Sequence, residues 1–125
     1  MAVRVMLVDD TDHVREMLAE MLELSGFVIV AKASDGPQAL AAVVDARPDV
    51  IVMDYKMPGM DGITATRLIL EKTPGVPVIL YTAYLDATLE REARDAGVSA
   101  CIEKVAGLHM LEREISTLCL ELVDH

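Results

Sequence analysis

The chain has 125 residues, of which 53% are hydrophobic and 26% charged, so it has one domain's length and enough apolar material for a core, and disorder is excluded. Eleven Lys and Arg against 21 Asp and Glu give a net charge of −10, with no basic cluster, which argues against binding a phosphate backbone. One Phe, three Tyr and no Trp leave few platforms on which bases could stack.

The longest unbroken apolar run, Ala39 to Val44, is six residues, far short of the roughly 18 a membrane span needs. Met1 leads within a few residues to Asp9 and Asp10, leaving no room for a signal peptide. Cys101 and Cys119 form no disulfide framework and read as packing residues. His13, His109 and His125 show no ligand spacing and read as surface residues. A soluble cytoplasmic protein, with no membrane partner, is the expected class.

In chain order, short β-branched runs alternate with segments of helical period. Val3 to Val8, Phe27 to Ala33, Asp49 to Met53, Val76 to Tyr81 and Val98 to Ile102 are predicted strands, apolar on both faces. The first helix is predicted from Val14, Met17, Leu18, Met21 and Leu22, with Thr11 or Asp12 as its cap and Ser25-Gly26 as its end. Asp35-Gly36-Pro37 opens a second, carrying Leu40, Val43 and Val44. Helices follow near Ile63 to Lys72 and Ala87 to Ala96, the latter stopped by Gly97. The last carries Leu108, Leu111, Ile115, Leu118 and Leu122. Five successive βα units predict an α/β fold with a parallel sheet covered by helices on both faces, as one domain over residues 1–125.

Ligands of open parallel sheets bind beyond the carboxyl ends of the strands. The first strand delivers Asp9 and Asp10 to that edge, the third Asp54, the fourth Thr82 and the fifth Lys104. Each residue alone is ordinary; their convergence is informative. Three carboxylates brought together repel unless a cation intervenes, and Mg²⁺ suits oxygen ligands while keeping room for a phosphate. Three acids carry −3; Mg²⁺ and Lys104 carry +3. A site so balanced can accept a phosphoryl group, with Asp54 as the nucleophile that forms an acyl phosphate.

These residues stand in motifs: Val5 to Asp10, Pro48 to Asp54, Met57-Pro58-Gly59-Met60-Asp61-Gly62, Thr82-Ala83 and Lys104. Over its whole length the chain resembles the CheY-like receiver domain of two-component response regulators. The resemblance implies a five-stranded, flavodoxin-like (βα)5 doubly wound sheet of order 2-1-3-4-5. It implies Asp54 as phosphoacceptor, Thr82 as switch hydroxyl and Lys104 as the ammonium pairing with the phosphoryl group. It implies Mg²⁺ held by Asp10, Asp54 and the backbone carbonyl of Lys56, with Asp9 acting directly or through water. The implied donor is a sensor histidine kinase, a phosphotransfer protein or a small acyl phosphate. The implied recipient of the signal is an output protein or domain, and homodimers can form through the fourth helix, fifth strand and fifth helix.

Two departures bear on switching. Cys101 stands where the family usually has an aromatic residue and Val105 where it usually has proline. The expected response therefore runs through the loop after Thr82, without an aromatic rotamer change, and the Lys104–Val105 bond is expected to be trans. Lys56 and Tyr84 occupy positions that in the family influence acyl-phosphate hydrolysis. Two other readings compete: a haloacid-dehalogenase-like phosphotransferase and a non-phosphorylated scaffold. The first needs an acid two residues after the nucleophile, where Lys56 stands; the second is expected to lose an acid or the lysine, and none is missing. No P-loop and no G-x-G-x-x-G motif occurs. No output domain follows Leu122, which fits either a stand-alone regulator or the receiver piece of a longer protein.

Overall fold

The computed structural model describes residues 2–120. Five strands, β1 (Arg4–Val8), β2 (Val28–Ala33), β3 (Val50–Met53), β4 (Val78–Thr82) and β5 (Ala100–Glu103), alternate with five helices. The helices are α1 (Asp12–Leu24), α2 (Gly36–Ala46), α3 (Gly62–Lys72), α4 (Ala87–Ala96) and α5 (Leu108–Leu118). A single 3-10 turn, Lys104–Ala106, joins β5 to α5. All pairings are parallel and the order is β2-β1-β3-β4-β5, as the resemblance implies. Leu122 and His125, placed above in the last helix and on the surface, lie outside the described residues.

Local chemistry sets the boundaries. The side chains of Asp35, Asp61 and Asp86 each accept a backbone N–H three residues on, at 2.8 Å, and so cap α2, α3 and α4. Gly97, with φ of 104°, ends α4 in the left-handed conformation that a side chain disfavours. Thr11 holds the N-cap position of α1 but its hydroxyl makes no capping bond. Its own N–H is instead drawn to Asp9 Oδ1 at 2.9 Å.

Alternation along the strands divides the core. Met6, Val8, Ile51, Met53, Val78 and Leu80 face α2, α3 and α4. Val5, Leu7, Val50, Val52, Ile79 and Tyr81 face α1 and α5. β2 departs from the expected two-sided burial: Val28 and Lys32 are exposed, because β2 is an edge strand. On α1 the buried stripe is Leu18, Ala19 and Leu22, while Met17 and Met21 face outward. Among the described residues no helix is long and apolar enough to cross a membrane.

The strand order reverses around β1 and β3, so the loops after these two strands diverge and leave a crevice at their carboxyl ends. That crevice is where the sequence places its acids.

Candidate functional site

The acids are anchored by the sheet itself. Asp9 N–H donates to Ala33 O at 3.0 Å and Asp54 N–H to Val8 O at 2.9 Å, which continues the ladder one residue past each strand. Both residues are largely buried, at 4% exposure for Asp9 and 9% for Asp54. One oxygen of each is occupied locally: Asp9 Oδ1 by the Thr11 N–H, Asp54 Oδ1 by the Tyr55 N–H at 2.8 Å. The other oxygens share a single ammonium, with Lys104 Nζ 3.0 Å from Asp9 Oδ2 and 3.5 Å from Asp54 Oδ2. Asp10 completes the group, and ligand oxygens of Asp9, Asp10 and Asp54 lie within 4.8 Å of one another.

Above the acids opens a cavity of about 570 Å³ lined by Asp10, Asp54, Lys56, Met57, Thr82 and Lys104, among others. Thr82 is buried and its hydroxyl donates to the Tyr84 carbonyl at 3.3 Å. The five sequence-predicted residues Asp9, Asp10, Asp54, Thr82 and Lys104 therefore meet at one edge, and Lys56 joins the cavity wall with its side chain exposed.

Electrostatics follow from burial and charge. Burial raises the Asp54 pKa above its usual value; Lys104 and the Tyr55 N–H oppose this, while Asp9 and Asp10 reinforce it. Burial works against the Lys104 charge, but its hydrogen bond to Asp9 and its proximity to Asp54 outweigh that, and its pKa is raised. Three acids against one lysine leave surplus negative charge, and an all-oxygen donor set is what a hard divalent cation takes. The residues present fit Mg²⁺.

A stability consequence follows. A carboxyl whose folded pKa is raised favours the protonated fold, so stability falls as pH rises from the unfolded pKa through the folded one. Above both pKa values the charge on Asp54 thus weakens the metal-free protein. Asp54→Asn is expected to raise Tm in chelator, read by calorimetry at pH 7. An unchanged or lower Tm would contradict it.

The two residues that depart from the family pattern, Cys101 and Val105, also have places. Cys101 is half-buried on β5, opposite Leu80, and packs against the core facing α2, α3 and α4. Val105 is 85% exposed on the turn after Lys104. Among the described residues no peptide bond is cis, so the Lys104–Val105 bond is trans as expected. His13 and His109 are exposed.

Three neighbours were given no role at the site by the sequence reading. Arg15, on α1, donates to the Asp9 carbonyl at 2.7 Å and to Asp12 Oδ1 at 2.8 Å, and so fixes the acidic loop. The Asp12–Arg15 spacing of three was the available signal. Gly62 lies against the Asp54 peptide, where an added Cβ would stand 2.0 Å from the Asp54 carbonyl oxygen. Tyr81 presents its ring to Lys104, with Nζ 6.0 Å from the centroid.

The profile of the family described as the response regulator receiver domain matches residues 5–116. The chain belongs to this family. The receiver is 42% identical over 103 residues to a protein-glutamate methylesterase/protein-glutamine glutaminase of Natronomonas pharaonis, covering 81% of this chain and 29% of that protein. It is 36% identical over 107 residues to the response regulator GacA of Pseudomonas viridiflava, covering 85% of this chain and 50% of that one. The receiver thus spans between less than a third and half of the length of these relatives. Among solved structures, the response regulator TrrA of Thermotoga maritima, in complex with Mg²⁺ and BeF, superposes with a TM-score of 0.83 at 28% identity. That match covers 93% of this chain and 98% of that one. The chain is accordingly a phosphoacceptor-type receiver of two-component signalling, a signalling domain, with the 2-1-3-4-5 flavodoxin-like fold.

Proposed function

We propose that Asp54 is the residue that takes the phosphoryl group, in a receiver domain extending over residues 1–125. The supporting observation is the Asp54 carboxylate, which lines the open cavity and shares the Lys104 ammonium with Asp9, beside Thr82. Asp54 Oδ2 attacks phosphorus in line; its new O–P bond forms as the donor's P–N or P–O bond breaks, and the bonding pair leaves with the imidazole or carboxylate. Bound Mg²⁺, held by Asp10, Asp54 and the Lys56 carbonyl with Asp9 directly or through water, would supply positive charge to the phosphoryl oxygens.

Lys104 is placed to exchange one partner for another. Its bond to Asp9 gives way to a phosphoryl oxygen as the Asp54 carboxylate becomes an acyl phosphate. Thr82 leaves the Tyr84 carbonyl and donates its hydroxyl to the same group. Release of Tyr84 frees the loop between Thr82 and α4, and this loop carries the response. Cys101, with no ring to exchange between inside and outside, stays packed against the core.

The donor in this reading is a phosphohistidine of a sensor kinase or phosphotransfer protein, with a small acyl phosphate as substitute. The output is a protein or domain that reads the α4–β5–α5 face, where homodimers also form. The chain works in the cytoplasm, and its net charge of −10 keeps it from binding DNA by itself. Acetyl phosphate with Mg²⁺ is expected to add one phosphoryl group, seen in the intact mass, and chelator is expected to abolish it. Unchanged mass with Mg²⁺ present, or equal labelling in chelator, would overturn the proposal.

A further inference from the structure

Tyr81 is a buried titratable residue that the mechanism above leaves unused. It precedes Thr82 on β4, and alternation turns it to the opposite side from Leu80, into the core facing α1 and α5. Its register partner on β5 is Ile102, two residues before Lys104. This brings the lysine back over the ring, with Nζ 6.0 Å from the centroid. A narrow void beneath the site is lined by Tyr81 together with Asp9 and Asp54, the two acids that share the ammonium.

We propose that Tyr81 is a positioning residue for Lys104: its ring face holds the ammonium at the phosphoryl site while the hydrogen-bond partners change. The inference rests on Lys104 being the phosphoryl partner. The Asp9 and Asp54 oxygens nearest Lys104 are also in demand elsewhere, Asp54 Oδ2 as nucleophile and Asp9 as a metal ligand. When either is engaged, Lys104 loses an anchor. The ring loses nothing, since the attraction of a cation to the negative face of an aromatic ring is independent of the phosphorylation step. A ring also excludes water from one side of the ammonium, which strengthens its pull on a phosphoryl oxygen. The phenol hydroxyl has no part in this, so phenylalanine should serve equally well.

Binding of beryllofluoride, a phosphoryl stand-in, in the presence of Mg²⁺ separates this role from a structural one. Tyr81→Phe is expected to bind it within about twofold of wild type, and Tyr81→Leu about threefold to tenfold more weakly. Mg²⁺ alone should bind Tyr81→Leu no more weakly than wild type. Ligand-free NMR supplies a second readout: the Lys104 side-chain protons should show an upfield ring-current shift in wild type and Tyr81→Phe that is lost in Tyr81→Leu. Equal weakening of Mg²⁺ and beryllofluoride binding would mean that the mutation disturbs the whole site and would overturn the proposal. So would a Tyr81→Phe protein that behaves like Tyr81→Leu, or a missing ring-current shift. Wild-type protein that takes no beryllofluoride would sink the phosphoacceptor reading together with this one. Wild-type binding matched by Tyr81→Leu would sink this one alone.

Discussion

Replacement of Lys104 by methionine is expected to slow phosphoryl uptake from acetyl phosphate by about 10²–10³-fold, the usual loss when a preorganised charge donor is removed from a transition state. The stem length is kept, so only the charge and its hydrogen bonds go. The ammonium lies 3.0 Å from Asp9 and 3.5 Å from Asp54, and it is the one cation among the described ion pairs that touches either acid. Asp9, at 4% exposure, is left with a buried charge and no counter-ion. Such a group is costly, so the metal-free variant should unfold at a lower temperature than wild type. Mg²⁺ then has more repulsion to relieve. Its stabilising effect, which reports binding to the folded state alone, should be larger in Lys104→Met than in wild type. Labelling rates and thermal scans with and without Mg²⁺ check both halves. A variant labelled within about threefold of wild type would remove Lys104 from the mechanism.

Gly62→Ala is expected to be strongly damaging. A Cβ there would meet the Asp54 carbonyl oxygen at 2.0 Å, the Asp54 carbonyl carbon at 3.0 Å and Met53 Cγ at 3.0 Å. Two of these are backbone atoms of Asp54 at the end of β3, and they have little freedom to move. Gly62 N–H also donates to Tyr55 O at 2.7 Å, closing the loop that contains Lys56. Relief of the clash must shift Asp54, the loop or both. A loss of roughly 2–3 kcal/mol, near 10 °C in Tm, is expected together with at least a tenfold loss of phosphoryl uptake. Gly36→Ala is the informative comparison. Its Cβ would meet Met60 Sδ at 2.5 Å, Cγ at 3.1 Å and Cβ at 3.2 Å, all atoms of one flexible side chain and none of the backbone. Gly36→Ala should therefore cost less than about 1 kcal/mol and leave labelling near wild type. Equal effects of the two substitutions would show that the loop does not pack on Asp54 as described.

The fold was legible because each local signal agreed with its neighbours. Asp35 stands just before the helix it caps, Gly97 just after the helix it ends, and β-branched runs mark the strands. The site was legible for a simpler reason. A parallel sheet sends every strand end to the same edge, so Asp9, Asp10, Asp54, Thr82 and Lys104 could be brought together without coordinates. Contacts across layers were not legible. Alternation places Tyr81 in the core facing α1 and α5, but nothing in the sequence says that Lys104, on another strand's loop, folds back over its ring. Met17 and Met21 match the helical period of α1, yet the sheet's narrow edge covers only Leu18, Ala19 and Leu22. Period alone does not fix which part of an apolar arc is buried. The exposure of Val28 has the same origin, since edge position is a property of strand order and not of the strand's own residues.

Site mapping of the acyl phosphate tests the central assignment most directly. Borohydride reduces an aspartyl phosphate to homoserine, which peptide mass spectrometry locates by residue. After treatment with acetyl phosphate and Mg²⁺, homoserine is expected at position 54 alone, and at no position in Asp54→Asn. Homoserine at position 9 or 10, or a phosphoryl group retained by Asp54→Asn to the wild-type extent, would contradict Asp54 as the phosphoacceptor.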